Sequence, residues 1–188
     1  GKFYFRFRNA PWYKEQVRYN EETAARLGFN KVSQLKLAVA KNIKEFTFGG
    51  GFLFAMCSGT DALDIALSAE GIDICESMFD GDGTTPNYNA QLDYSKTFAF
   101  KDFTLKTNPM EYEFSNIDAT PIHARTPKNI DNFTLFDFSA KWDIVPTMLC
   151  QNHTSIVNGF YGQTTGYNKQ FLKSNVLVMG ENKGLNSA

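Results

Sequence analysis

The sequence predicts an α/β fold built on a parallel sheet, with a β-rich region inserted into it or packed against it. Three observations carry that expectation. Helical and strand-like patterns alternate from Ser33 to Cys75. The run Phe52-Leu53-Phe54-Ala55-Met56 is apolar on both faces, as a strand buried in a parallel sheet would be. After residue 79 the pattern shifts to short aromatic runs, partly alternating with polar residues. Helix, strand, helix, strand is the rhythm of a parallel sheet with right-handed crossovers.

The elements follow in order. Residues 1–18 are aromatic and basic, with Pro11-Trp12-Tyr13 turning into a helix. A short helical stretch runs from Glu21 to Leu27, where Gly28 supplies a C-terminal stop. Ser33 is placed to cap a second helix, whose apolar positions Leu35, Val39, Ile43 and Phe46 keep helical spacing. Gly49-Gly50-Gly51 ends it. Phe52 to Met56 reads as the first core strand, Asp61 to Glu70 as a helix with Leu63, Ala66 and Leu67 on one side, and Ile72 to Cys75 as the next strand. Asp80 to Asn89 is a loop. Phe98, Phe100, Phe103, Leu105, Phe114, Phe133, Leu135 and Phe138 then mark short strands, expected to be antiparallel, and Val176 to Met179 returns to core-strand character. One domain over residues 1–188 results, with an αβαβ core at 1–79, a β-rich insertion at 80–170 and a return to the core at 171–188.

Composition narrows the function classes. A net charge of −1 and a hydrophobic fraction of 43% give no pull toward nucleic acid or a charged membrane surface. No apolar run approaches the roughly 20 residues that span a bilayer. The three cysteines, Cys57, Cys75 and Cys150, are too few and too scattered for a disulfide framework, and without a C-x-x-C pair they do not spell a structural zinc site.

Cys57 is the strongest candidate for chemistry. A strand, a tight turn and a helix in succession form a nucleophile elbow, and the first turn of a helix favours a thiolate. Cys57 would be the nucleophile and the Ser58 N–H one oxyanion donor. The glycines Gly49 to Gly51 cannot complete the oxyanion hole, because a five-residue strand puts them about 17 Å away. A small buried hydrophobe is the plainer reading of the same cysteine. The candidate bases within these residues are His153 and His123, neither with an acidic residue two positions on; the alternative is a base beyond residue 188. Asp80-Gly81-Asp82-Gly83-Thr84 has the oxygen density of a calcium loop, with Asp80 and Asp82 as ligands, but Gln91 stands where an EF-hand carries its closing Glu. Asn132-Phe133-Thr134 and Asn152-His153-Thr154 match glycosylation sequons, and the aromatic Gly159-to-Tyr167 stretch could line a groove.

Ala55-Met56-Cys57-Ser58-Gly59-Thr60 resembles the cysteine elbow of the class I glutamine amidotransferase-like superfamily. A longer set of matches resembles a Bacteroidetes family that carries the automatic label asparagine synthetase B. These are Asn9-Ala10-Pro11-Trp12-Tyr13, Lys31-Val32-Ser33-Gln34, Phe133 to Asp143 and Gly180-Glu181-Asn182-Lys183. The resemblance implies an amidotransferase-like α/β sandwich, further segments at both ends of the domain, and an extracytoplasmic, exported location. It does not imply asparagine synthesis, since no Ser-Gly-Gly-x-Asp loop is present. In the superfamily's elbow, the glycine after the cysteine falls at Gly59, while the glycine before it is replaced by Ala55.

Two functions stand at this point. One is a cysteine-dependent hydrolase of a small amide or peptide, needing no cofactor. The other is a non-catalytic binding or assembly component with a protein partner, built on an α/β scaffold and an aromatic β-rich surface. Calcium at Asp80 and Asp82 would be an accessory to either.

Overall fold

The computed structural model describes residues 2–56, 59–111, 113–117, 132–135, 156–158, 167–178 and 180–182. The chain forms two compact units: Gly1–Phe98 with Thr104–Ser115, and Ala99–Phe103 with Asn116–Ala188.

The first unit is helical. It contains α1 (Lys2–Phe7), α2 (Pro11–Arg26), α3 (Val32–Phe48), α4 (Gly59–Ser68) and the single turn α5 (Ser77–Asp80). Pro11 opens α2 at the first helical position, where its missing N–H costs nothing and its fixed φ suits the helix. Gly28, with φ +84°, closes it. Its N–H donates to the Ala25 carbonyl at 3.0 Å, and the Phe29 N–H donates to the Ala24 carbonyl at 2.9 Å, the two bonds of a Schellman cap. The same device ends α3. Gly50, at φ +94°, donates to Thr47 at 3.1 Å, and Gly51 donates to Phe46 at 2.9 Å. Of the three consecutive glycines, Gly50 is thereby explained.

α3 packs against both α2 and α4. Its most buried position is Ala40, whereas Val39 and Phe46 of the expected apolar stripe are exposed. The helix starts one residue before Ser33, with Lys31 at the N-cap, so Ser33 is not the cap. Instead, the Gln34 side chain accepts from the Asn30 N–H at 3.1 Å. α4 buries Asp61, Asp64, Leu67 and Ser68, a face rotated away from Leu63 and Ala66. Two buried carboxylates on that face explain why its pattern misleads.

The parallel-sheet sandwich is overturned. The described residues are mainly helical, and the few strand residues among them pair antiparallel. Phe52 to Met56 is not a strand. It leaves the α3 cap as irregular backbone, with Phe52, Leu53, Phe54 and Met56 exposed and none of its N–H groups donating a hydrogen bond among the described residues. Ile72 to Cys75 is not a strand either. The Asp73 side chain accepts from the Cys75 N–H at 2.9 Å, an Asx turn that competes with any ladder. Val176 to Val178 is irregular, and Leu177 is exposed. Met179 lies outside the described residues.

In the second unit, β1 (Asn132–Leu135) is flanked by β2 (Ile156–Asn158) and β3 (Gly180–Asn182). Both pairings are antiparallel, with Phe133 opposite Val157 on one side and Asn182 on the other. The buried residues of this unit include Phe100, Phe103, Ile117 and Phe171. Phe100 meets Tyr167 with ring centroids 5.3 Å apart. The Lys101 and Lys173 N–H groups donate to the Phe171 and Ala99 carbonyls, each at 2.8 Å, around the Phe100–Leu172 bridge.

Candidate functional site

The helical unit carries a cleft of about 570 Å³. α3 and α4 form its helical wall through Leu37, Ala62, Ile65 and Ala66, and the chain at 69–79 and 105–114 closes the other side. Its floor is apolar, supplied by Ala69, Ile72, Ile74, Phe79, Leu105 and Phe114. Asn89 fixes the far wall by gripping both backbone groups of Leu105: its Oδ1 accepts from the Leu105 N–H at 2.7 Å and its Nδ2 donates to the carbonyl at 3.3 Å.

The polar groups at the rim are mostly committed to one another. Lys106 lies 3.4 Å from Glu111 and 3.9 Å from Glu113. The Thr107 hydroxyl donates to Glu76 at 2.5 Å and meets the Tyr88 hydroxyl at 3.2 Å. Lys36 also lines the cleft and makes no ion pair among the described residues.

At one end of the cleft sits an acidic cluster. Asp73, Asp80 and Asp82 bring carboxylate oxygens within 4.8 Å of one another. The Lys31 ammonium enters this group. It bonds Asp73 at 2.7 Å, bonds Asp82 at still closer range and lies 3.7 Å from Asp80. Asp73 is set by its pairing with Thr85: the Thr85 N–H donates to the Asp73 carbonyl at 2.8 Å, and the Asp73 N–H donates to the Thr85 hydroxyl at 2.9 Å. Asp80 ends α5, and Gly81, in the left-handed region at φ +94°, turns the chain toward Asp82.

These neighbours set the titration of the cluster. The Asp73 and Asp82 carboxylates bonded to Lys31 raise its pKa. The Lys31 hydrogen bond holds the Asp82 carboxyl below its ordinary value. Burial, then the charges of Asp82 and Asp73, raise Asp80. Burial, then the Asp80 charge, push the Cys75 thiol up to about 12. Burial, followed by the charge of Cys75, also raises Tyr13.

Cys75 is therefore a thiol and not a nucleophile at neutral pH. An ordinary cysteine is a few per cent thiolate at pH 7, while one at about 12 is ionised to about one part in 10⁵. Allowing for the greater intrinsic reactivity of the more basic thiolate, Cys75 should alkylate roughly 50-fold more slowly in the native protein than in urea. Peptide-resolved iodoacetamide labelling measures this, and equal rates in the two states would refute it.

Of the residues expected from sequence, Asp80 and Asp82 do come together. The third carboxylate, Asp73, and the cation among them, Lys31, lie outside the Asp80-to-Asn89 loop and were missed. Gln91, at the EF-hand closing position, instead donates to the Pro86 carbonyl at 2.8 Å. Cys57, Ser58, His123 and His153 lie outside the described residues, as do the Asn152 sequon and residues 159–166 of the aromatic stretch. α4 begins at Gly59, two residues after Cys57, and the described backbone ahead of Cys57, residues 52–56, is not a strand. No helix among the described residues is long and apolar enough to cross a membrane.

No protein-family model matches the chain, and neither a curated protein nor a solved structure matches it.

Proposed function

We propose that the chain is a non-catalytic binding component whose helical unit receives a ligand with an apolar body and one anionic group. The cleft carries this reading. Its volume of about 570 Å³ lies within the range of roughly 300–1,000 Å³ usual for small-ligand sites. Its floor is apolar and its polar groups are few, the balance that buries a ligand body while fixing its orientation. Lys36 is the rim cation with no ion pair among the described residues, so an anionic group on the ligand has its counter-charge there. Catalysis finds no support at this site, because its cysteine stays protonated and its carboxylates are engaged by Lys31, Lys106 and Thr107.

An anilinonaphthalene sulfonate dye has the required shape and charge. It is expected to bind with one saturable component. Ala66→Trp should fill the cleft and abolish that component while leaving the melting temperature near that of the wild type. Lys36→Met should weaken it about threefold, the worth of one exposed charge pair. A saturable component that survives Ala66→Trp unchanged, or the lack of any, would overturn the reading.

A further inference from the structure

We propose that Phe52–Met56 is the pairing strand of a two-fold homodimer. The proposal is independent of the cleft and its ligand.

The segment combines three properties that a solvated loop does not share. Its side chains are large and apolar, yet Phe52 is 78% exposed, Met56 68%, Phe54 43% and Leu53 41%. Among the described residues, none of its N–H groups donates a hydrogen bond, and the Met56 carbonyl alone accepts one, from Gly59 at 3.0 Å. Finally, no charged residue and no proline stands between Glu45 and Asp61. Soluble proteins guard exposed strand-like edges with lysine, proline or bulges, and this segment has none of those guards.

The apolar surface extends beyond the segment. The Phe46 ring, 60% exposed, lies directly over Gly51, where an added Cβ would sit 2.3 Å from the ring. That contact ties the end of α3 to the start of the segment. At about 200 Å² per large side chain, the exposed parts of Phe46, Phe52, Leu53, Phe54 and Met56 amount to roughly 600 Å². Two copies would remove at most about 1,200 Å², the lower end of the range for specific, stable interfaces.

The composition of the segment selects a second copy as its occupant. It offers no charge by which to select a foreign partner, and a two-fold contact satisfies the same deficit in both chains at once. Antiparallel pairing about Phe54 sets Phe52 opposite Met56, Leu53 opposite Ala55, and Phe54 opposite itself. The larger side chains Phe52, Phe54 and Met56 then share one face and the smaller Leu53 and Ala55 the other, since successive residues of a strand alternate. Backbone groups that are unpaired in each copy become a ladder between the two.

The test is sedimentation velocity over a hundredfold concentration range. The mass is expected to approach twice the 21.2 kDa of the chain at the upper end. Phe54→Lys and Phe54→Glu should each remain monomeric there, because the axis places like charges opposite one another, while their helical circular dichroism stays that of the wild type. An equimolar mixture of the two should recover a heavier species. A wild type that stays monomeric throughout overturns the proposal, as does a Phe54→Lys variant that dimerises like the wild type. Slow amide exchange at 53–56 in a strictly monomeric sample would assign the pairing to another part of the same chain and overturn it equally.

Discussion

Lys31→Met is expected to reverse the pH dependence of stability and to create a calcium response that the wild type lacks. In the wild type, Asp82 is held below its ordinary 3.8 chiefly by the Lys31 hydrogen bond. A carboxyl lowered on folding stabilises fully above its unfolded pKa, and that contribution is lost as pH falls through the folded value. Glu70 behaves in the same way, lowered by Lys41 first and Lys96 second, with the bonds at 2.6 and 3.0 Å. Asp80 has the opposite sign. It is raised by burial and by its acidic neighbours, so its charge opposes folding and protonation relieves the opposition. With Lys31 present, the wild type loses stability on acidification. Without the ammonium, three carboxylates face one another unopposed, and protonating one of them stabilises the fold. The variant should therefore melt higher at about pH 5 than at pH 7. Oxygens within 4.8 Å of one another can share a single calcium at the usual distance of about 2.4 Å. A partly exposed three-carboxylate site would hold the ion with a Kd of about 1 mM, and a tenfold excess over that adds about 1.4 kcal/mol. Thermal melts of both proteins, with calcium and with EDTA, measure this. A variant whose melts ignore calcium and track the wild type in pH would remove the ammonium from its assigned role.

The same cluster shows how far sequence reasoning reached. The Asp80-to-Thr84 loop advertises its oxygens by local spacing, and Asp80 and Asp82 do converge. Lys31 is 42 residues from Asp73, and no local pattern announces that pair. Helix ends were readable for a related reason. Pro11, Gly28 and Gly50 act through backbone geometry within a few residues, so the chain itself carries the signal. Strands depend on partners elsewhere. A run such as Phe52 to Met56 has strand chemistry whether or not a neighbour arrives, and apolarity alone cannot report the neighbour. Ile72 to Cys75 failed for a different cause, because Asp73 spends its side chain on the backbone two residues ahead. That Asx signal lies in the sequence and was outweighed by the alternation of Ile72 and Ile74. The face of α4 was misjudged because Asp61 and Asp64 are buried, which no hydrophobic stripe anticipates.

Asp64→Ala is expected to be among the most damaging single changes in the helical unit. Asp64 is only 2% exposed, and its Oδ1 accepts from the Phe98 N–H at 2.6 Å, joining α4 to a residue 34 positions away. The bond also sets the backbone from which the Phe98 ring stacks on Phe48, with centroids 5.5 Å apart and planes 20° from parallel. Alanine removes the acceptor, leaves the donor without this partner in a part-buried site and slackens the stack. Removing one partner of a buried, charge-assisted bond costs about 3 kcal/mol, more than the net worth of the bond, because the remaining group keeps its desolvation penalty. For a chain of this length that is a fall in melting temperature of roughly 6–12 °C. Asp64→Asn keeps an oxygen for Phe98 and should recover more than half of the loss. The sequence of effects distinguishes a hydrogen-bonding role from simple filling of space, since alanine and asparagine differ most in the acceptor they offer. Phe48→Ala probes the other side of the contact, and in a double-mutant cycle with Asp64→Ala its cost should shrink, because the stack it would remove is already loosened. If Asp64→Ala melts within a degree or two of the wild type, or if the two costs simply add, the carboxylate is not what holds Phe98 against Phe48.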